Sequence, residues 1–168
     1  EDGKLEYKRT ISLGPAPPKA YGVEFSPDQE KLYVSLMGQD GASSKLIQYD
    51  LSIEGDSLLQ ATALVIDSSA TDKFGSLQIA PDGKIYMAID GSEYLAVIGA
   101  PDQTSLRLLE YERRGVHLGG KKSKLGLPNF VQNFTENSDG PGAEAEGFCA
   151  GSPTTFTVTP LCQPLKDQ

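Results

Sequence analysis

Gly22-Val23-Glu24-Phe25-Ser26-Pro27-Asp28, followed after two residues by Lys31-Leu32-Tyr33-Val34-Ser35, returns later in the chain. The second copy is Ser76-Leu77-Gln78-Ile79-Ala80-Pro81-Asp82-Gly83, then Lys84-Ile85-Tyr86-Met87-Ala88. Pro27 and Pro81 lie 54 residues apart, Tyr33 and Tyr86 53, so one residue has been gained or lost in the turn. Each copy is apolar alternation, a Pro-Asp turn, then alternation again, the pattern of a β-hairpin. Self-similarity at a period near fifty predicts an all-β chain built as a β-propeller, one repeat to a blade.

Working outward, each copy extends to four strands, the number a blade requires. In the first, over residues 21–66, Ile47, Tyr49 and Leu51 alternate with Gln48 and Asp50, and the apolar run 58–66 supplies a fourth strand. In the second, over residues 75–112, Ile85, Met87 and Ile89 alternate, 94–98 is the third strand and 106–111 the fourth. Helical periodicity is absent over any useful length. Ahead of the repeats, residues 5–13 read as one strand, closed by Gly14-Pro15-Ala16-Pro17-Pro18, where prolines forbid a continued ladder.

After Tyr111 the character changes. Residues 115–120 and Gly126-Leu127-Pro128-Asn129-Phe130 are turn-rich, and 130–134 has the residue types of one short strand. The segment 115–134 is expected to close the propeller, with Leu118, Leu127 and Phe130 buried and Lys121, Lys122 and Lys124 in solvent. Residues 135–147 are acidic and glycine-rich and read as a linker. Thr154-Thr155-Phe156-Thr157-Val158-Thr159 then reads as a clean strand. The expected organisation is therefore terminal blades and a closing segment over 1–134, a linker over 135–147, and the first strand of a further, truncated domain over 148–168. Two blades cannot close a ring, and four to eight at this period need roughly 220–430 residues. The expectation is a fragment of a larger propeller protein.

Composition narrows the function classes. The chain has 168 residues and a net charge of −8, which argues against a nucleic-acid partner. No apolar run approaches the roughly 18 residues of a membrane helix, so no membrane insertion is expected. The charge is uneven: residues 107–124 carry six basic side chains against Glu110 and Glu112, a net of +4 that leaves −12 for the rest. Arg113, Arg114, Lys121, Lys122 and Lys124 are the candidate contacts for a polyanion or glycan, with Tyr111 to stack on a sugar face. The plainer reading is a solvated loop whose lysines keep an edge soluble.

Catalytic chemistry finds little support. There is no Gly-x-Ser-x-Gly elbow, and Cys149 lies in sequence far from His117, which is more simply a turn residue. Asp28 and Asp82 occupy equivalent turn positions, where Asp hydrogen-bonds its own backbone, so they are not an acid–base pair. No calcium loop is present, and one His with no Cys-x-x-Cys leaves no zinc set. No metal, cofactor or catalytic residue is expected. Cys149 and Cys162, 13 apart, suit a disulfide in an oxidising compartment or two buried thiols, and both readings stand.

Four stretches carry a family resemblance. They are 21–28 with 31–35; Leu46-Ile47-Gln48-Tyr49-Asp50-Leu51; 77–86; and Leu118-Gly119-Gly120 through Gly126-Leu127-Pro128-Asn129-Phe130. Together they resemble the YVTN/WD-repeat-like propellers of large secreted or surface proteins of bacteria with type IX secretion. In that family a propeller ends in a characteristic run and PKD (immunoglobulin-like) domains follow. Cys149-Ala150-Gly151 with Thr155-Phe156-Thr157 looks like the first strand of such a domain, although its Trp-x-Phe-Gly-Asp-Gly hallmark is absent. The resemblance implies an extracellular or cell-surface location and a non-catalytic binding, adhesion or scaffold role. It implies as partners the remaining blades and PKD domains of a parent chain, with an extracellular glycan or protein ligand. Two alternatives are a propeller enzyme acting on glycans with its active site elsewhere, and a structural subunit of the secretion or gliding apparatus.

Overall fold

In the computed structural model, which describes Ile11, residues 19–128 and the backbone of strands 143–146 and 155–158, the repeat becomes two four-stranded antiparallel sheets. The first contains β1 (Lys19–Phe25), β2 (Lys31–Met37), β3 (Ser44–Asp50) and β4 (Leu64–Ser69), in that spatial order. The second repeats it with β5 (Phe74–Ile79), β6 (Ile85–Ile89), β7 (Tyr94–Ile98) and β8 (Tyr111–His117). Among the described residues the fold is all-β apart from one short helix.

The correspondence reaches the level of register. Val23 pairs with Val34 and Val34 with Ile47; in the second sheet Leu77 pairs with Met87 and Met87 with Ala96. The row Phe25–Leu32–Tyr49 becomes Ile79–Ile85–Ile98, and Glu24–Tyr33–Gln48 becomes Gln78–Tyr86–Val97. Because side chains alternate, matched rows place matched residues on matched faces.

The hairpin turns match as well. The Ser26 amide donates to the Lys31 carbonyl (3.0 Å) and the Ala80 amide to that of Lys84 (2.9 Å). Asp28 Oδ1 accepts the Glu30 amide and Asp82 Oδ1 the Lys84 amide, each two residues on, the local bonding that favours Asp in turns. Gln29 and Gly83 hold the same place with φ of 61° and 75°. The first turn's extra residue is accommodated beyond them.

The second sheet packs its opening strand on the first sheet. Leu77, Ile79, Ile85, Met87, Ala96 and Ile98 bury themselves against Tyr33 and Leu46, and this is the larger core. Gly22 is required at the crossing: a Cβ there would meet the Leu77 amide nitrogen and the Gly75 carbonyl within 3 Å. Polar bonds bridge the same seam. Ser35 Oγ donates to the Gly75 carbonyl, the Tyr33 hydroxyl to Pro101 O (2.5 Å), Gln48 Nε2 to Gln103 O (2.7 Å), and the Ile79 amide to Glu24 Oε2 (2.9 Å). Buried polar groups therefore find partners across the seam. The opposite face of the first sheet carries a smaller cluster of Val34, Leu36, Ile47 and Tyr49, covered by Leu59, with Ile11 packed alongside.

Four sequence expectations need correction. Residues 58–66 do not form the fourth strand: α1 (Asp56–Ala61) takes the first half and β4 begins at Leu64. Six residues are too few to hold a helix on propensity; buried Leu59 anchors it, and Thr62 Oγ1 donates to the Leu58 carbonyl at its end. Likewise 106–111 is mostly turn, closed by the Leu109 amide on Ser105 O, and the strand starts at Tyr111. Gly115 to His117, read as turn, belong to β8; a Cβ at Gly115 would run into Val97, so glycine lets the strands approach. Leu118 and Leu127 are half-buried rather than buried, while Lys121, Lys122 and Lys124 are exposed.

The chain divides into two units, Glu1–Phe130 and Val131–Gln168. In the second, β9 (Ala143–Glu146) pairs antiparallel with β10 (Thr155–Val158), so a strand lies within the stretch that composition reads as linker. Phe130, the strand expected at 130–134, Cys149 and Cys162 lie outside the described residues.

Candidate functional site

β2 and β3, β4 and β5, and β6 and β7 are joined at one end of the two sheets, and the chain leaves β8 at that end too. Two open clefts lie there and share Asp72. One, of about 520 Å³, sits between the β2–β3 loop at Gly38 to Ala42 and the β4–β5 connection at Ala70 to Lys73. The other, of about 550 Å³, lies between Asp72, the β6–β7 turn at Asp90 to Glu93, and the Tyr94, Arg113 and Arg114 side chains. Both are lined mainly by polar groups, as expected where loops rather than strand faces form the walls.

The basic residues singled out in the sequence divide between two environments. Arg113 and Tyr111 point along β8 toward the first sheet. The Arg113 guanidinium donates from Nε to Asp67 Oδ2 (2.7 Å), from Nη2 to Asp67 Oδ1 and the Ser68 carbonyl, and from Nη1 to Asp72 Oδ2 (3.2 Å). It also lies over the Phe74 ring, 5.6 Å from the centroid. The Tyr111 hydroxyl donates to Asp67 Oδ2. Asp67 is thus held by a forked guanidinium and a phenol, a geometry that suits a carboxylate.

Burial by itself would raise the Asp67 carboxyl, but the bonds from Arg113 and Tyr111 outweigh it and hold it below the usual carboxylate range. Burial and the adjacent carboxylate push the Tyr111 hydroxyl well above its ordinary value. Hydrogen bonding to Asp67 raises Arg113, against a smaller opposing effect of burial. This cluster clasps the two sheets together, and Arg113 and Tyr111 have their polar atoms engaged within it.

Arg114, Lys121, Lys122 and Lys124 remain at the strand-end face. Arg114 lies over the Tyr94 ring at 5.8 Å, and the His117 ring tilts against the same tyrosine, centroids 4.9 Å apart. The loop that carries the three lysines is fastened to the β6–β7 turn: the Gly91 amide donates to Ser123 O, the Ser123 amide to Ser92 O, and the Leu118 amide to Glu93 O. The backbone of that loop is therefore held beside the β6–β7 turn, which borders the 550 Å³ cleft together with Asp72 and Arg114.

Asp67, Asp72 and Tyr94 were not singled out from sequence. Asp67 and Arg113 are 46 residues apart with no local spacing to link them; they meet because side chains on β4 and β8, strands of different sheets, reach each other across the seam. Among the described residues no group of three or more His, Cys, Asp or Glu side chains is placed to hold a metal ion, and no helix is long and apolar enough to cross a membrane. No protein-family model, curated protein or solved structure matches the chain significantly.

Proposed function

We propose that the two sheets are consecutive blades of a β-propeller whose strand-end face binds an anionic glycan or protein ligand without turning it over. The parent molecule is a multidomain bacterial surface protein of the type IX secreted kind, with PKD-like domains after the propeller. The observation that carries the propeller reading is the row-by-row register match, together with the opening strand of one sheet seated on the face of the sheet before it. Sheets repeated in that manner turn their outer loops to one common face, where a ligand meets several repeats at once.

The ligand class follows from the cations there. Arg114, Lys121, Lys122 and Lys124 stand out against a chain that is otherwise strongly acidic. Tyr94, already flanked by Arg114, replaces Tyr111 as the aromatic surface available to a sugar. Exposed lysines on a short loop contribute through charge with little stability at stake.

Immobilised heparin is the probe. The wild-type chain is expected to be retained at moderate salt and recovered with the polysaccharide uncleaved. A Lys121→Ala, Lys122→Ala, Lys124→Ala variant should lose most of the retention with an unchanged melting temperature. Wild type that passes straight through, or retention indifferent to the three lysines, would overturn the ligand assignment.

A further inference from the structure

At the end of the sheets opposite the clefts, the connection from β7 to β8 is pinned to the first sheet. The Tyr33 hydroxyl donates to Pro101 O (2.5 Å) and Gln48 Nε2 to Gln103 O (2.7 Å), which fixes the residues on either side of Asp102. Tyr33, Gln48 and Pro101 are all buried. Asp102 is thereby set against the β1–β2 turn. The Asp28 amide donates to Asp102 Oδ1 (3.2 Å), and the two carboxyl groups lie within hydrogen-bonding reach of each other. Two ionised carboxylates have no donor to offer one another, so a bond between them requires a proton.

The surroundings do not offset the doubled charge. Lys31 is the cation whose field reaches both carboxyls. It is buried, with Nζ 3.4 Å from Glu30 Oε2 and 3.5 Å from Asp50 Oδ1. One ammonium thus serves Glu30, Asp50, Asp28 and Asp102. Tyr33, the remaining titratable group that faces the pair, is held neutral by burial. The two carboxyls are also unequal. The Ser26 hydroxyl (2.5 Å) and the Glu30 amide (2.9 Å) donate to Asp28 Oδ1, whereas among the described residues Asp102 is given the Asp28 amide alone. Burial and the neighbouring Asp28 charge raise the Asp102 carboxyl; burial acts on Asp28 too, but its donors outweigh it and lower that group.

We propose that Asp28 and Asp102 hold one proton between them across the seam, and that its loss as pH rises loosens the β7–β8 connection from the first sheet. The seam is a proton-sensitive joint, firmest in mildly acidic solution. It works independently of any ligand at the strand-end face. A carboxyl whose folded-state pKa is raised contributes stability that is complete below the unfolded value of about 3.9 and lost as pH rises through the folded value. Asp67 acts in the reverse sense, because its folded-state pKa is lowered. The matched turn of the second sheet supplies a control. Asp82 accepts the Tyr86 hydroxyl (2.7 Å) in place of a carboxyl; burial would raise it, but that bond and the Lys84 amide lower it.

Thermal unfolding of the whole chain tests the joint, at low ionic strength and with EDTA present so that no bound cation takes the place of the proton. Asp102→Asn keeps an acceptor for the Asp28 amide and removes one charge. Near neutrality it should raise the melting temperature by roughly 1–4 °C, a modest shift because both carboxyls are exposed. The gain should vanish below about pH 4, where the wild-type pair already carries its proton. Asp82→Asn should give no gain at neutral pH. A carboxyl-carbon NMR titration of the wild type reads the proton directly. The Asp28 and Asp102 carbons should each sense both proton steps, which belong to the pair, and in Asp102→Asn the Asp28 carbon should titrate once. Asp102→Asn that gains nothing at neutral pH, or gains equally in acid, overturns the proposal. So do wild-type carboxyl carbons that titrate independently of each other.

Discussion

Val23 and Phe25 in the first sheet and Leu77 and Ile79 in the second occupy the same register rows, yet one pair is open to solvent and the other is sealed. Sequence pattern alone does not separate them, since both are apolar residues alternating toward a Pro-Asp turn. What differs is the neighbour. The second sheet has another sheet beneath its opening strand; among the described residues the first has α1 and Ile11 on part of that side. Alternation marks which residues belong to a face, and stacking decides whether that face becomes core.

The largest test of that comparison is truncation of matched residues. Ile79→Ala should cost about 2–5 kcal/mol, because it removes atoms from a packed core and leaves a cavity. Phe25→Ala, although a larger deletion, should cost under about 1 kcal/mol, because the residue is already 48% exposed. Chemical denaturation of both variants below the concentration of any association gives the comparison. Equal losses would mean that β1 is covered in solution. Leu59→Ala and Leu109→Ala sharpen it from the other direction: both are fully buried, and both should fall in the larger class.

Next in size is the clasp between the sheets. Arg113→Met keeps the packing over Phe74 but leaves the Asp67 carboxylate, 12% exposed, with only the Tyr111 hydroxyl and the Ser68 amide among the donors that hold it. A buried charge that loses a partner costs about 1–3 kcal/mol, and the partial exposure of the arginine places this change toward the lower part of that range. Its pH dependence has a definite sign. The folded-state pKa of Asp67 is lowered, so the stabilisation is complete above the unfolded value of about 3.9 and is lost as pH falls through the folded value. The difference in stability between wild type and Arg113→Met should therefore be constant near neutrality and shrink below about pH 4. A difference independent of pH down to acid unfolding would show that Asp67 is not the group that Arg113 stabilises.

How much of this was legible in the sequence depends on the range of the interaction. The hairpins were, because Pro27-Asp28 and Pro81-Asp82-Gly83 specify their turns within a few residues. The fourth strands were misplaced in both repeats for one reason. Leu58-Leu59 and Leu108-Leu109 are short apolar runs whose periodicity cannot distinguish strand from a single helical turn. In the structure each run sends its second leucine into a core while the first stays exposed, and the strand begins later. Asp67, Asp72 and Arg113 come together only once β4 and β8 are in place. Sequence reads the cations at 113 and 114 as one patch, but adjacent residues on a strand face opposite ways, so Arg113 is engaged by Asp67 and Asp72 while Arg114 lies over Tyr94, although both border the cleft.

The smallest effect concerns the turns, where the two sheets differ by one side chain at a strained position. Gln29 and Gly83 share a left-handed backbone, φ 61° and 75°, and their amides donate to Ser26 O and Ala80 O at the same 2.9 Å. Such a conformation suits glycine and costs an ordinary L-residue about 1 kcal/mol, because Cβ crowds the carbonyl that follows. Gln29→Gly removes that strain but loosens the unfolded chain, an opposing effect of about 0.4–1 kcal/mol. The net change should be a small stabilisation or none, under about 0.5 kcal/mol. Gly83→Gln places the strain in the second turn and should destabilise by up to about 1 kcal/mol; its Cβ would meet no atom within 4 Å, so contact contributes nothing. The two thermal shifts together decide whether the turns are interchangeable. If Gln29→Gly destabilises more than Gly83→Gln, the glutamine makes a stabilising contact that the glycine turn lacks, and the equivalence of the two hairpins ends at their tips.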